Sequence, residues 1–306
     1  MLIAGPQQTR RSIWIAFFCL CLLLSSSWLL PAGASEESPI AQQGCFYGVV
    51  GLVALILAYR RARARLQWRA CLQVAAVSIL LLGVPAVLGE WARNAISDIS
   101  RAALFALVPF VVVMVAAARE SEPGVRRFSL PALIGFGGVL LLLPFSFPTS
   151  PRGQIVFGVL LVVVALGGFA SEAIYHLLRG FGTIEALAVV SLSNAAFLIA
   201  CHFVNLPSAE SWSGVSWIGL SGLLSIHSLY NLVELLLLVW LLREMSPVRL
   251  AVRYLIVPLF IVLEGFAFLH PPLTVRMAAG LVLLVAGAAY LLFSRGWDSD
   301  AVLSIR

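Results

Sequence analysis

The sequence predicts an all-α, polytopic membrane protein with ten transmembrane helices in two inverted five-helix repeats and both termini on the cytoplasmic side. Of its 306 residues, 61% are hydrophobic and 11% charged, with a mean hydropathy of +1.01, more apolar surface than a soluble core of this size could hide. Apolar runs of roughly 20 residues, the length that crosses a hydrocarbon layer about 30 Å thick, recur ten times. Arginine is segregated: with the N-terminus inside, 16 of 20 fall in inner loops and ends, and only Arg93, Arg101, Arg152 and Arg276 lie outside. Together these exclude a soluble enzyme, a nucleic-acid binder and a disordered scaffold. The formal net charge of +6 sits between apolar runs rather than on one solvated face, so nucleic acid is not an expected partner.

The first run, about 13 to 30, follows Arg10 and Arg11 and precedes Ala32-Gly33-Ala34, which imitates a secretory leader. Its apolar core is longer than a leader needs, so an uncleaved first helix is expected. The second, about 44 to 59, and the third, about 70 to 89, flank the Arg60 to Arg69 cluster, which reads as a stop-transfer flank. The fourth and fifth run from about 99 to 118 and 129 to 147, and the turn formers Phe147-Pro148-Thr149-Ser150-Pro151-Arg152-Gly153 close the first half. The last five run from about 154 to 175, 183 to 204, 215 to 241, 250 to 269 and 274 to 293. Tryptophan falls mostly near run ends, as an interfacial belt does. The cysteines at 19, 21, 45, 71 and 201 form no CxxC pair and suggest neither a disulfide framework nor a metal site.

The expected halves are 1–150 and 151–306. Five spans per half is an odd number, so a repeat of one half by the other inserts upside down, the arrangement used for alternating access. Ile99-Ser100-Arg101-Ala102-Ala103-Leu104-Phe105-Ala106-Leu107-Val108-Pro109 aligns with Val248-Arg249-Leu250-Ala251-Val252-Arg253-Tyr254-Leu255-Ile256-Val257-Pro258, placing a proline at the same step of each fourth span. Pro109 and Pro258 are expected to bend their helices, either freeing a carbonyl for a lining group or serving packing alone.

The stretch Leu241-Leu242-Arg243-Glu244-Met245-Ser246-Pro247, then Pro258, the corner His270-Pro271-Pro272-Leu273-Thr274, and Gly280 with Gly287 resembles the EamA-type drug/metabolite transporter superfamily. Residues 97–145 resemble it too, with Pro109 and the corner Ser121-Glu122-Pro123. Residues 1–96 match in helix number and length only. The corner glutamate of the family pattern is Pro271 here, and Glu264 stands where the pattern has a small or aliphatic residue. The resemblance implies ten helices around a cavity open alternately to either side, and a small organic metabolite or drug-like molecule as cargo.

Ionisable groups inside a bilayer are costly, so each is a candidate for cavity lining or substrate binding. In the eighth span His227, Asn231 and Glu234 recur at i, i+4 and i+7 and share an arc of roughly 60°. Either this face meets a cavity, with Asn231 bonding substrate and Glu234 or His227 carrying a proton, or it bonds neighbouring helices. Glu172 and Tyr175, with His176, mark the inner end of the sixth span, where Glu172 and His176 are also spaced to pair locally. Glu264 lies beyond Pro258, placed to bond freed backbone or face the outer vestibule. Glu90, Arg93, Asp98 and Arg101 read as interfacial charges.

Gly219-Leu220-Ser221-Gly222 spells the GxSG of a rhomboid-type intramembrane protease, but His227 lies on the opposite side of the same helix from Ser221, and small residues there also serve packing. The sequence reading is therefore a secondary transporter, an exporter in a bacterial cytoplasmic membrane and not an enzyme, with no cofactor and no metal. Its partners are the lipid bilayer, the metabolite and, under the coupled reading, protons. A flippase for lipid-linked substrates or a non-transporting subunit is the alternative.

Overall fold

A computed structural model describes residues 6–27, 39–61, 67–93, 95–120, 127–204, 226–270, 272 and 274–294. The described residues fold into helices joined by short turns, without strands. In chain order the helices are α1 (Pro6–Ser26), α2 (Pro39–Arg61), α3 (Trp68–Ser78), a π-helical turn (Ile79–Gly83), α4 (Val84–Ala92), α5 (Asp98–Phe105) and α6 (Val108–Glu120). Then follow α7 (Ser129–Leu142), α8 (Pro151–Leu178), α9 (Thr183–Val204), α10 (Ile226–Glu244), α11 (Pro247–Ala251), α12 (Arg253–Leu269) and α13 (Val275–Phe293).

Among the described residues seven helical segments are long and apolar enough to cross a membrane: Ile40–Arg60, Trp68–Ala92, Ile99–Arg119, Pro151–Leu178, Thr183–Val204, Pro247–Leu269 and Val275–Phe293. Arg11–Ser26 and Ser129–Leu142 are apolar but shorter. The expected fifth span ends early for a local reason. Leu143 precedes Pro144, whose ring pushes it out of the helical region to φ −91 and ψ 138. The expected eighth span is described only from Ile226, and the Gly219 to Gly222 motif, the Ser121-Glu122-Pro123 corner, Pro271 and Ala32 to Ala34 all lie outside the described residues.

Among the described residues three of the expected spans are interrupted rather than smooth. The third carries the π turn, in which Val84 N–H reaches back five residues to the Ile79 carbonyl. The fourth breaks at Ala106-Leu107, and Pro109 falls in the first turn of α6, where a missing N–H costs nothing. The ninth breaks at Val252, and Pro258 stays inside α12. Helix α12 ends on His270, in the left-handed conformation at φ 49, whose N–H caps Phe266 O.

The chain divides into two compact units. The first comprises Met1–Ser26, Ala92–Glu172 and Glu244–Arg306. Its most extensive pairing is α7 against α13, where the backbones touch. A Cβ on Gly287 would stand 2.6 Å from Gly135 N and Pro131 O, and one on Gly138 2.5 Å from Leu284 N. In a bilayer, where helices gain little from burying apolar surface, such close approach supplies the dispersion energy that holds them. Here α1 also packs on α12, and α6 meets α7 and α11.

The second unit comprises Ser27–Trp91 and Ala173–Arg243. Its main pairing sets α2 against α9. Gly44, Gly48 and Gly51, spaced i, i+4 and i+7 on one face, meet Ile199, Ala195 and Leu192 in reverse order, so the two helices are antiparallel.

Candidate functional site

In the second unit, α10 carries His227, Asn231 and Glu234, the residues expected to share a polar face of the eighth span. Asn231 is exposed and Glu234 half-buried, while the His227 side chain lies outside the described residues. Glu234 stands within electrostatic range of Tyr47 on α2, whose hydroxyl accepts a hydrogen bond from Gln43 Nε2 at 3.4 Å. A carboxylate, a phenol and an amide from α10 and α2 thus share one neighbourhood. That set can take up a proton at the carboxylate and offer a polar solute both donors and acceptors. Toward the end of α8, Tyr175 is half-buried and its hydroxyl accepts from Arg179 Nη2, with the guanidinium 4.3 Å above the ring centroid. His176 is exposed beside it.

The first unit holds the other two expected carboxylates. Glu172 is 7% exposed, and its Oε1 lies 4.0 Å from Arg119 Nη1 on α6. Sequence spacing pointed to His176 as its local partner, and the structure adds Arg119 from another helix. Glu264 accepts a hydrogen bond of 2.6 Å from Ser25 Oγ at the end of α1. Of the two settings expected for Glu264, freed backbone or outer vestibule, neither describes this contact, which ties α12 to α1. Pro109 and Pro258 are both buried.

Two polar clusters escaped sequence reasoning. In the second unit Ser78, on the last turn of α3 before the π turn, lies 2.9 Å from Ser193 Oγ and accepts from Asn194 Nδ2 at 3.3 Å. Asn194 also bonds Val190 O at 2.8 Å, while its Oδ1 and the Ser191 hydroxyl are buried with no hydrogen-bond partner among the described residues. Gly83 closes the π turn over this group, since a Cβ there would meet Asn194 Oδ1 at 2.9 Å and Phe197 at 2.7 Å. The available signal was the run Ser191-Leu192-Ser193-Asn194 at mid-span, which reads as small-residue packing until its partners are known. In the first unit Arg253, counted in the sequence as one more inner charge, is buried where the ninth span breaks.

The geometry defines a polytopic helical membrane protein with polar groups held inside its spans. No family model matches the chain. Over 291 residues it is 25% identical to an uncharacterized transporter, YvbV, of Bacillus subtilis strain 168, covering 91% of this chain and 90% of that protein. It is also similar to a solved structure described only as "Crystal structure of protein", with a TM-score of 0.69 and 19% identity over 92% of this chain and 98% of that one. That likeness concerns the fold.

Proposed function

We propose that this chain is an integral-membrane secondary transporter of the EamA type, moving small organic metabolites by alternating access through ten helices in two inverted repeats. The observation that carries the reading is how sequence-equivalent elements meet. If spans one to five correspond to six to ten, the two-fold axis of an inverted repeat sets the elements beside it against their own counterparts in antiparallel sense. The second span packs on the seventh, the fifth on the tenth, and the fourth on the ninth. Phe105 and Tyr254, equivalent in the alignment of the halves, stack on each other with centroids 6.1 Å apart and planes at 20°.

Interrupted fourth and ninth spans support the same reading, because broken helices supply the mobile backbone of many transporters. The 25% likeness to an uncharacterized transporter adds weight. In this scheme Asn231 bonds the cargo, Glu234 or His227 exchanges a proton, Glu172, Tyr175 and Glu264 line the path, and export from a bacterial cytoplasmic membrane is the physiological direction.

Proteoliposomes loaded with a pH dye test the proposal. Pools of amino acids, nucleosides and cationic drugs are offered to wild type and to Glu234→Gln. Substrate-dependent proton movement in wild type, lost in the variant, is the expected result. Uptake that leaves proton movement intact in Glu234→Gln would make Glu234 structural. Silence from every pool with folded protein would transfer the reading to a lipid-linked-substrate flippase or a non-transporting subunit.

A further inference from the structure

Arg253 opens α12 directly after the break at Val252 and is 6% exposed, and its chain neighbours Val248, Ala251, Val252, Leu255 and Ile256 are buried too. Its Nη2 donates to the Tyr254 hydroxyl at 3.0 Å, and the guanidinium carbon lies 4.6 Å from the Tyr254 ring centroid. The buried Cys21 of α1 is within its electrostatic range. Among the described residues no carboxylate comes within ion-pair distance of it. Among the described residues Nε and Nη1 have no hydrogen-bond partner.

A guanidinium cannot escape burial by shedding its proton, and a phenol and a ring face compensate a full charge only in part. A buried cation left without an anion is strongly unfavourable, so the arrangement is incomplete as it stands. Nη2 belongs to both edges of the guanidinium and carries two hydrogens, so with one given to Tyr254 the other edge still presents parallel N–H groups that fit one planar carboxylate. Beside it the stacked rings of Tyr254 and Phe105 offer an aromatic wall. We propose that Arg253 and this wall bind a small aromatic or apolar monocarboxylate. One negative charge neutralises the one cation, whereas a dianion would leave an excess. The inference deepens the transporter reading by naming a cargo class, and it rests on that reading only for its physiological meaning.

Equilibrium dialysis of the detergent-purified full chain against radiolabelled benzoate, with benzamide as its neutral isostere, tests it. Wild type should retain benzoate at least about tenfold better than benzamide, as a charge-assisted bidentate pair requires. Arg253→Gln should lose that preference and Arg253→Lys should keep part of it. Equal retention of the two probes by wild type, or an unchanged preference in an Arg253→Gln protein that elutes as wild type does, would overturn the proposal. Should the glutamine variant not fold, the wild-type ratio and the lysine variant still decide. Benzoate binding without any transport would sink the transporter reading and leave this site standing, and transport with no benzoate preference would do the reverse.

Discussion

Arg276 shows how one side chain finishes a helix that proline cut short. Helix α7 stops at Leu142, and its last carbonyls have no helical donor. Arg276, from the first turn of α13, donates Nε to Leu141 O at 2.9 Å and Nη2 to Leu140 O at 3.3 Å and Leu143 O at 3.4 Å. A cation at a helix C-terminus also meets the negative end of the helix dipole. Arg276→Ala is expected to cost about 1–2 kcal/mol, read as a lower unfolding midpoint in detergent, with Arg276→Lys recovering part of it. In the sequence this arginine was one of four expected exceptions to the inner-side bias; in the structure its guanidinium caps α7.

Among the helices, α7 carries its own control. A Cβ on Gly137 would meet nothing within 4 Å, while one on the adjacent Gly138 would meet Leu284 and Gly280 backbone at 2.5 and 2.8 Å. Gly137→Ala should therefore be neutral or stabilising by up to about 1 kcal/mol through helix propensity. Gly138→Ala should destabilise by about 1–3 kcal/mol, because backbone atoms cannot swing aside. Thermal unfolding of the two variants side by side checks both. The pairing of α2 with α9 has a covalent test as well. Ala195 Cβ lies 3.8 Å from where a Cβ on Gly48 would be, inside the range a disulfide needs. Gly48→Cys with Ala195→Cys, in a background with the native cysteines replaced, should form a bridge on mild oxidation, visible as a mobility shift that reductant reverses.

For the whole chain, hydropathy made most span positions legible, because a helix in lipid must be long and apolar whatever it packs against. Seven of the ten expected runs meet that requirement outright, and two shorter helices lie within the first and fifth. What stayed illegible depends on neighbours distant in sequence. The break at Val252 falls in an apolar stretch with no glycine or proline beside it, whereas that at Ala106-Leu107 stands just before Pro109. Ser78, Ser193 and Asn194 become a cluster only once α3 and α9 are packed. Glu172 and Glu264 were singled out as costly charges, yet Arg119 and Ser25, the groups beside them, stand far away in the chain. The division into units follows the same logic. The expected repeats, 1–150 and 151–306, are a matter of sequence order, whereas each compact unit gathers segments from both sides of residue 150.

The π turn at Ile79–Gly83 has a consequence for how this protein can tolerate change in length. Each residue removed from a membrane helix turns everything beyond it by about 100° and would normally present the wrong side chains to lipid and protein. A π turn holds one residue more than the α-helical path across the same stretch, which makes it a slack loop within an otherwise taut rod. Loss of a single residue there can be taken up by straightening to α-helix, so that Trp91 and Ala92 keep their facing. The middle of the third span, where a deletion would look most damaging, is thus the place where this chain has length to spare.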